Sequence, residues 1–390
     1  MSDDFFYHVP TRVYFGDSQL ENLGQELARH GRRVLLTYGS ERIRGLSLYS
    51  EIRAQAERFG LTLAEAGGVE PNPRHTTVNR MAEICRREKI DVVLAVGGGS
   101  VLDCAKFVCA AAGYDGDCWD FFAGRAKMET FLPLVTIPTL AGTGSDMDAF
   151  GIISNDQTLE KLPLYHPGLF PQASFLVPSL TVSVSPYQTA CGSIDAFSHY
   201  LEVYLMRPNL LAHRRVMEGF MKTILECIPK VMARPDDLEA RANLMWASSW
   251  ALNGFTFGTT GAAPFTCHWI EDELSAKYDM THGLGLAILL PHYLEYCLNE
   301  ETAPLYRELA VNVLGADAGL DAMEAARQGI AALRGLFFET CGLRSRLGEC
   351  GVTDERHFAE MARVACRGGV IHGLIELTQE DVINIYRMSM

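Results

Sequence analysis

The chain has 390 residues, 48% hydrophobic and 21% charged, the profile of a globular protein long enough for two or three domains. A formal net charge of −14 argues against a nucleic-acid or membrane-surface partner, although it leaves room for a local basic pocket. Acids at Asp3 and Asp4 stand where a signal peptide carries Lys or Arg, and the apolar run Gly283–Leu290 is too short to cross a bilayer, so a cytoplasmic protein is expected.

Up to about residue 180, β-rich runs alternate with helical stretches. Strands are expected at Arg32–Tyr38, Leu61–Ala66, Asp91–Val96 and Leu132–Ile137, with helices at Leu46–Phe59, Thr76–Lys89 and Val101–Ala112. That alternation indicates parallel βαβ units. Phe150–Val184, with prolines at 163, 167, 171 and 178, reads as a hairpin-like connector. Beyond Pro186 the pattern turns helical, at Thr189–Leu205, Ala212–Val231, Leu238–Asn253 and Thr302–Leu314. The expected fold is a Rossmann-like α/β dinucleotide-binding domain over residues 1–185, followed by an all-α metal-binding domain over 186–390. The eleven cysteines are scattered, odd in number and without a CxxC pair, so neither a disulfide framework nor a cysteine metal site is indicated.

Asp91–Lys106 reads as a buried strand, then Gly97-Gly98-Gly99-Ser100, then a helix. Glycines there admit a ligand close to the backbone, and a helix N-terminus offers N–H groups to a pyrophosphate. A tight strand–helix turn explains the same cluster, and the G-x-G-x-x-G fingerprint is absent. A second glycine-rich loop, Pro138–Ser145, includes Thr139, Leu140 and Thr143 and follows the next strand. Two such loops at the carboxyl ends of successive strands favour a dinucleotide site.

Asp195 and His199 are spaced i, i+4 and so share a helix face. Farther on stand His268 and His282. One carboxylate and three imidazoles suit Fe²⁺ or Zn²⁺, the order of divalent affinities favouring zinc. For the pair alone a solvated or hydrogen-bonded helix face is the favoured reading, and spacing does not show that the four converge.

Together these motifs resemble those of the iron-containing (group III) alcohol dehydrogenases, most of all the NADPH-dependent butanol dehydrogenase and broad aldehyde reductase branch. Gly97–Lys106, with Ser100, Asp103 and Lys106, resembles that family's phosphate loop, and Thr139–Ser145 its second cofactor loop. Ile194–Glu202 and the His268–His282 separation resemble its ligand segments, and Asn72, Lys161 and residues 241–254 also fit. The resemblance implies a pyrophosphate on Gly97–Ser100. It also implies a cation held by Asp195, His199, His268 and His282 in an interdomain cleft, hydride exchange with a small aldehyde or alcohol, and a homodimer or larger homo-oligomer. A dehydroquinate synthase-like lyase shares this architecture, but no Lys/Arg cluster for its substrate phosphate accompanies the ligands.

Three positions depart from the family pattern: Asp146 for Glu, Val177-Pro178 for Asp-Pro, and Asp272 for a histidine near the substrate. Asp272 lies one helical turn past His268, which suits a proton relay, a carboxylate orienting a ligand imidazole, or a solvated acid without a role; the second is favoured. Gly39 and Ser40 close the second strand with Arg42 and Arg44 just beyond, a set suited to a 2′-phosphate, so NADP(H) is expected over NAD(H), with Glu41 as the contrary sign.

Overall fold

The computed structural model describes residues 5–206, 210–256 and 265–390; Asp3 and Asp4 lie outside them. The chain divides into two units, His8–Ser183, and Val184–Met390 with the N-terminal residues up to Tyr7.

The first unit carries β1 (Arg12–Phe15), β2 (Arg33–Tyr38), β3 (Thr62–Ala66), β4 (Val92–Gly97), β5 (Leu134–Pro138), β6 (Phe150–Asn155), β7 (Glu160–Tyr165) and β8 (Ala173–Leu176). Its helices are α1 (Leu23–Ala28), α2 (Ser47–Arg58), α3 (His75–Glu88), α4 (Gly99–Ala111) and the short α5 (Trp119–Phe122). Six strands form one parallel sheet in the order β1-β8-β5-β4-β2-β3. The chain winds outward from β2 to β3, then returns to place β4 on the other side of β2. The order therefore reverses between β2 and β4, where open α/β sheets bind ligands at the strands' carboxyl ends.

Alternation along the strands explains how both faces are covered. Val93 and Ala95 of β4 join a core with Val78 and Met81 of α3 and Val101 and Leu102 of α4. Val92, Leu94 and Val96 face the opposite core, with Leu23 and Leu27 of α1 and Leu48 and Ile52 of α2. Strands buried on both faces read as unbroken apolar runs, as β2, β4 and β5 do, whereas the expected strand β3 lies at the sheet edge with Thr62 exposed.

Two further strands, β1 and β8, were not expected. Each has four residues, too few for a periodic signal. β8 sits inside the proline-rich stretch read as a connector, yet all its residues are buried and it pairs with both β5 and β1. The hairpin part of that reading corresponds to antiparallel β6 and β7. Val177, in place of a family Asp, is buried in the apolar core beside Phe175.

The second unit holds α6 (Pro186–Leu205), α7 (Leu211–Ala233), α8 (Leu238–Ser249), α9 (Thr266–Tyr278), α10 (His282–Cys297), α11 (Ala303–Asn312), α12 (Ala322–Arg334), α13 (Phe358–Ala365) and α14 (Gln379–Met388). A two-stranded ribbon, β9 (Ile371–His372) and β10 (Glu376–Leu377), interrupts the all-helical pattern expected there. α6 is its axis, packed against α7, α8 and α10. Every residue of α6 from Thr189 to Leu205 is buried, so each polar side chain on it needs a partner. Among the described residues no helix is long and apolar enough to cross a membrane. All eleven cysteines are free, and ten of them are buried.

Candidate metal centre and nucleotide loops

Three helices of the second unit bring the predicted ligands together. Asp195 and His199 lie one turn apart on α6, His268 is in the first turn of α9, and His282 is the first residue of α10. The turn from α9 to α10 is tight because Asp279 adopts the left-handed conformation at the helix end, which carries His282 back beside His268. Asp195 Oδ1 stands 3.7 Å from His199 Nε2, 3.6 Å from His268 Nε2 and 3.7 Å from His282 Nε2. Donor atoms of Asp195, His268 and His282 all lie within 4.8 Å of one another, a cluster that His199 joins through Asp195. The His199 and His268 rings stack at 4.3 Å.

These contacts are too long for hydrogen bonds but close to ligand-to-ligand separations around a tetrahedral ion, about 3.4 Å for bonds of about 2.1 Å. Asp195 Oδ1 and His268 Nε2 are buried and have no hydrogen-bond partner among the described residues. Buried polar atoms are rarely left so, and an N₃O donor set satisfied by a divalent cation removes the anomaly. The residues present therefore fit the group that the motifs imply.

Electrostatics point the same way. Burial opposes ionisation of Asp195, but the surrounding imidazoles outweigh it and hold the carboxyl well below its usual range. Burial pushes His199 down to about 3, against the pull of Asp195. Burial also opposes charge on His268, yet Glu202 and Asp195 prevail and push it up to about 10.

Sequence reasoning missed two carboxylates here. Glu202 Oε1 accepts from His268 Nδ1, and Glu271 Oε2 accepts from His282 Nδ1. The available signal was position: Glu202 is i+7 from Asp195 on the same buried helix, and Glu271 is i+3 from His268. Asp272, favoured from the sequence as the orienting carboxylate, has Oδ1 3.9 Å from His282 Nδ1, beyond hydrogen-bond reach. Glu271 points at α10 so closely that a Cβ on Gly285 would lie 2.3 Å from its Oε1. Asp272 is nevertheless buried beside the ligand set.

In the first unit, the expected cofactor loops meet. Gly97 ends β4 and Gly98 caps α4 without a side-chain hydrogen bond, leaving that helix end open to an anion. Thr139 N donates to Gly97 O at 2.9 Å, and a Cβ on Gly99 would lie 2.4 Å from Thr143 Cγ2. Leu140 covers Gly98. Ser100 remains part-exposed on the first turn. Gly39 closes β2 beside Val69 O, and Ser40 Oγ accepts from Arg42 N at 3.3 Å.

Asp103 and Lys106 brace this region from behind. Asp103 accepts from Ser145 Oγ at 2.5 Å and from Ile152 N at 3.1 Å, tying α4 to the second loop and β6. Lys106 is fully buried and donates to Asp148 Oδ1 and Phe150 O, so it braces α4 from within. Lys161, also buried, lies opposite Ser154 on the hairpin. Asn72 holds a left-handed conformation, and its carbonyl accepts from Arg74. Asp146, in place of a family Glu, is buried and its carbonyl accepts from Ser174 Oγ.

Comparison with known proteins agrees with these features. Residues 10–178 match the iron-containing alcohol dehydrogenase family, and residues 189–390 match the C-terminal part of the Fe-containing alcohol dehydrogenase family. The chain belongs to the iron-containing alcohol dehydrogenases. It is 40% identical to NADH-dependent butanol dehydrogenase B of Clostridium acetobutylicum, over 99% of this chain and 100% of that protein. It is 33% identical to an NADPH-dependent aldehyde reductase of Escherichia coli, over 90% of each. The crystal structure of NADH-dependent butanol dehydrogenase A from Thermotoga maritima superposes with a TM-score of 0.93 at 32% identity, covering 100% of this chain and 99% of that one. The protein is accordingly an oxidoreductase, an alcohol dehydrogenase/aldehyde reductase that uses a nicotinamide cofactor and a metal.

Proposed function

We propose that the protein interconverts short aliphatic aldehydes and alcohols, using a divalent cation bound by Asp195, His199, His268 and His282. The convergence of three imidazole Nε2 atoms on Asp195 Oδ1 carries this reading. A cation there supplies a Lewis acid that polarises the carbonyl, while the nicotinamide supplies or takes the hydride. The chain's own residues do the positioning. Asp195 and the imidazoles hold the charge in place, α6 excludes water from behind, and the Gly97–Ser100 and Thr139–Thr143 loops cradle the pyrophosphate. Asp103 holds those loops together, and Asn72 and Lys161 complete the cofactor site. Asp272 takes part in proton delivery, because Glu271 already orients His282. Asp272→Asn is then expected to lower kcat and alter the pH–rate profile with metal affinity unchanged; unaltered kinetics contradict that role.

For the cofactor we infer NADH, in place of the NADPH expected from Arg42 and Arg44. Arg44 is 3.1 Å from Glu41 and 3.0 Å from Glu65, and it donates to Tyr38 Oη. A guanidinium committed to two carboxylates has little left for a 2′-phosphate, and both carboxylates repel one. Two of the relatives named above bear NADH in their names, which supports the same reading. An aldehyde panel run with both cofactors, after loading with Fe²⁺ or Zn²⁺, tests the whole proposal. NADH should give the higher kcat/KM, and the double variant Glu41→Gln, Glu65→Gln should move preference toward NADPH. A tenfold advantage for NADPH in the wild type overturns the cofactor reading; no turnover with any short aldehyde overturns the substrate reading.

A further inference from the structure

Two of the three imidazoles have a buried carboxylate at their backs, and the third does not. Glu202 is 4% exposed and Glu271 is fully buried. Glu202 uses one oxygen on His268 Nδ1 and the other on Cys267 N at 2.7 Å, so it grips both the ring and the backbone just before it. Glu271 uses one oxygen on His282 Nδ1 and the other on Ser275 Oγ at 2.7 Å, and that hydroxyl also reaches Met280 O at the turn into α10. His199 Nδ1, by contrast, has no hydrogen-bond partner among the described residues.

A neutral imidazole carries one N–H. A carboxylate accepting it from Nδ1 leaves the lone pair on Nε2, turned toward Asp195, and makes that nitrogen a stronger donor to a cation. Burying two carboxylates is costly unless each is paired, and here each pairs through a ring that has a second partner to serve. The backbone makes room for the arrangement: a side chain at Gly285 would collide with Glu271, and one at Gly283 would meet Cys191 O at 2.2 Å. Glycine at 283 and 285 lets α10 press His282 onto both its carboxylate and the ligand cluster.

We propose that Glu202 and Glu271 are positioning residues that select the tautomer and aim of His268 and His282, and that Glu271 does for His282 what the sequence suggested for Asp272. This rests on the metal reading above. It makes the three imidazoles unequal, with two held by a carboxylate on Nδ1 and His199 placed by its helix and by stacking on His268.

The test compares Zn²⁺ dissociation constants, by competition with a chromophoric chelator, and the visible spectra of Co²⁺-loaded protein. Glu271→Leu should weaken Zn²⁺ binding by about 10- to 100-fold and alter the Co²⁺ spectrum. Glu271→Gln retains an acceptor of the same shape and should recover part of the loss. Asp272→Asn should leave both readouts at wild-type values. Wild-type affinity and spectrum in Glu271→Leu overturn the proposal. If that variant does not fold, wild-type values in Glu271→Gln overturn it instead. His282→Ala separates the two levels: wild-type affinity there overturns the metal assignment itself, whereas lost affinity there beside unchanged Glu271 variants overturns only the positioning role.

Discussion

Gly99 has no room for a single added carbon. A Cβ there would lie 2.4 Å from Thr143 Cγ2, so Gly99→Ala must push the two loops apart. Overpacking of this kind costs about 1–3 kcal/mol, and the binding site absorbs it. The KM for the nicotinamide cofactor should rise roughly tenfold or more, with metal content unchanged, as steady-state kinetics and metal analysis will show. An unchanged KM contradicts the placement of the pyrophosphate on this loop. At this scale the sequence was partly legible. The i, i+4 pair Asp195 and His199 shows as one helix face, and the family pattern supplied His268 and His282. Glu202 and Glu271 carried only a positional signal, because a carboxylate on a helix has no mark of function until the imidazole it bonds is known. Asp272 drew the orienting role because it lies one turn past His268, where the family carries a histidine, whereas Glu271 is the carboxylate that bonds His282.

Between elements, Glu26 joins α1 to the strand at the sheet edge. Its buried carboxylate accepts from Arg12 and from Tyr14 Oη at 2.9 Å, both on β1, and from Arg29 at 2.7 Å. Burial opposes its ionisation, but Arg12 and Tyr14 outweigh it and hold its pKa below the ordinary value of 4.5. A carboxyl depressed in the folded state stabilises above its unfolded pKa and loses that contribution as pH falls through the folded one. Glu26→Gln should therefore cost about 1–3 kcal/mol near neutrality. The half-exposed arginines keep the loss toward the low end. The gap between variant and wild type in denaturant midpoint should narrow as pH drops below about 4.5; a gap that widens instead contradicts the assignment. The same edge was hardest to read from sequence. β1 and β8 are four residues long, and β8 lies between Pro171 and Pro178, whose turn signals outweigh a short apolar run. The central strands, buried on both faces, were plain.

Over the whole molecule, the alternating first half and helical second half were readable because each unit repeats one periodicity many times. Cofactor choice was not, because it depends on a contact between the turn after β2 and strand β3. On the NADH reading proposed above, Arg44 is held by Glu65 of β3 and has little left for a 2′-phosphate. On the proposed function, a single cation at Asp195, His199, His268 and His282 is required for hydride transfer. Metal content and aldehyde-dependent NADH oxidation, measured together on chelator-stripped and reloaded protein, test it most directly. Stripped protein should be inactive, and one equivalent of Fe²⁺ or Zn²⁺ per chain should restore turnover in the wild type but not in His268→Ala. Full turnover by protein free of detectable metal contradicts the claim.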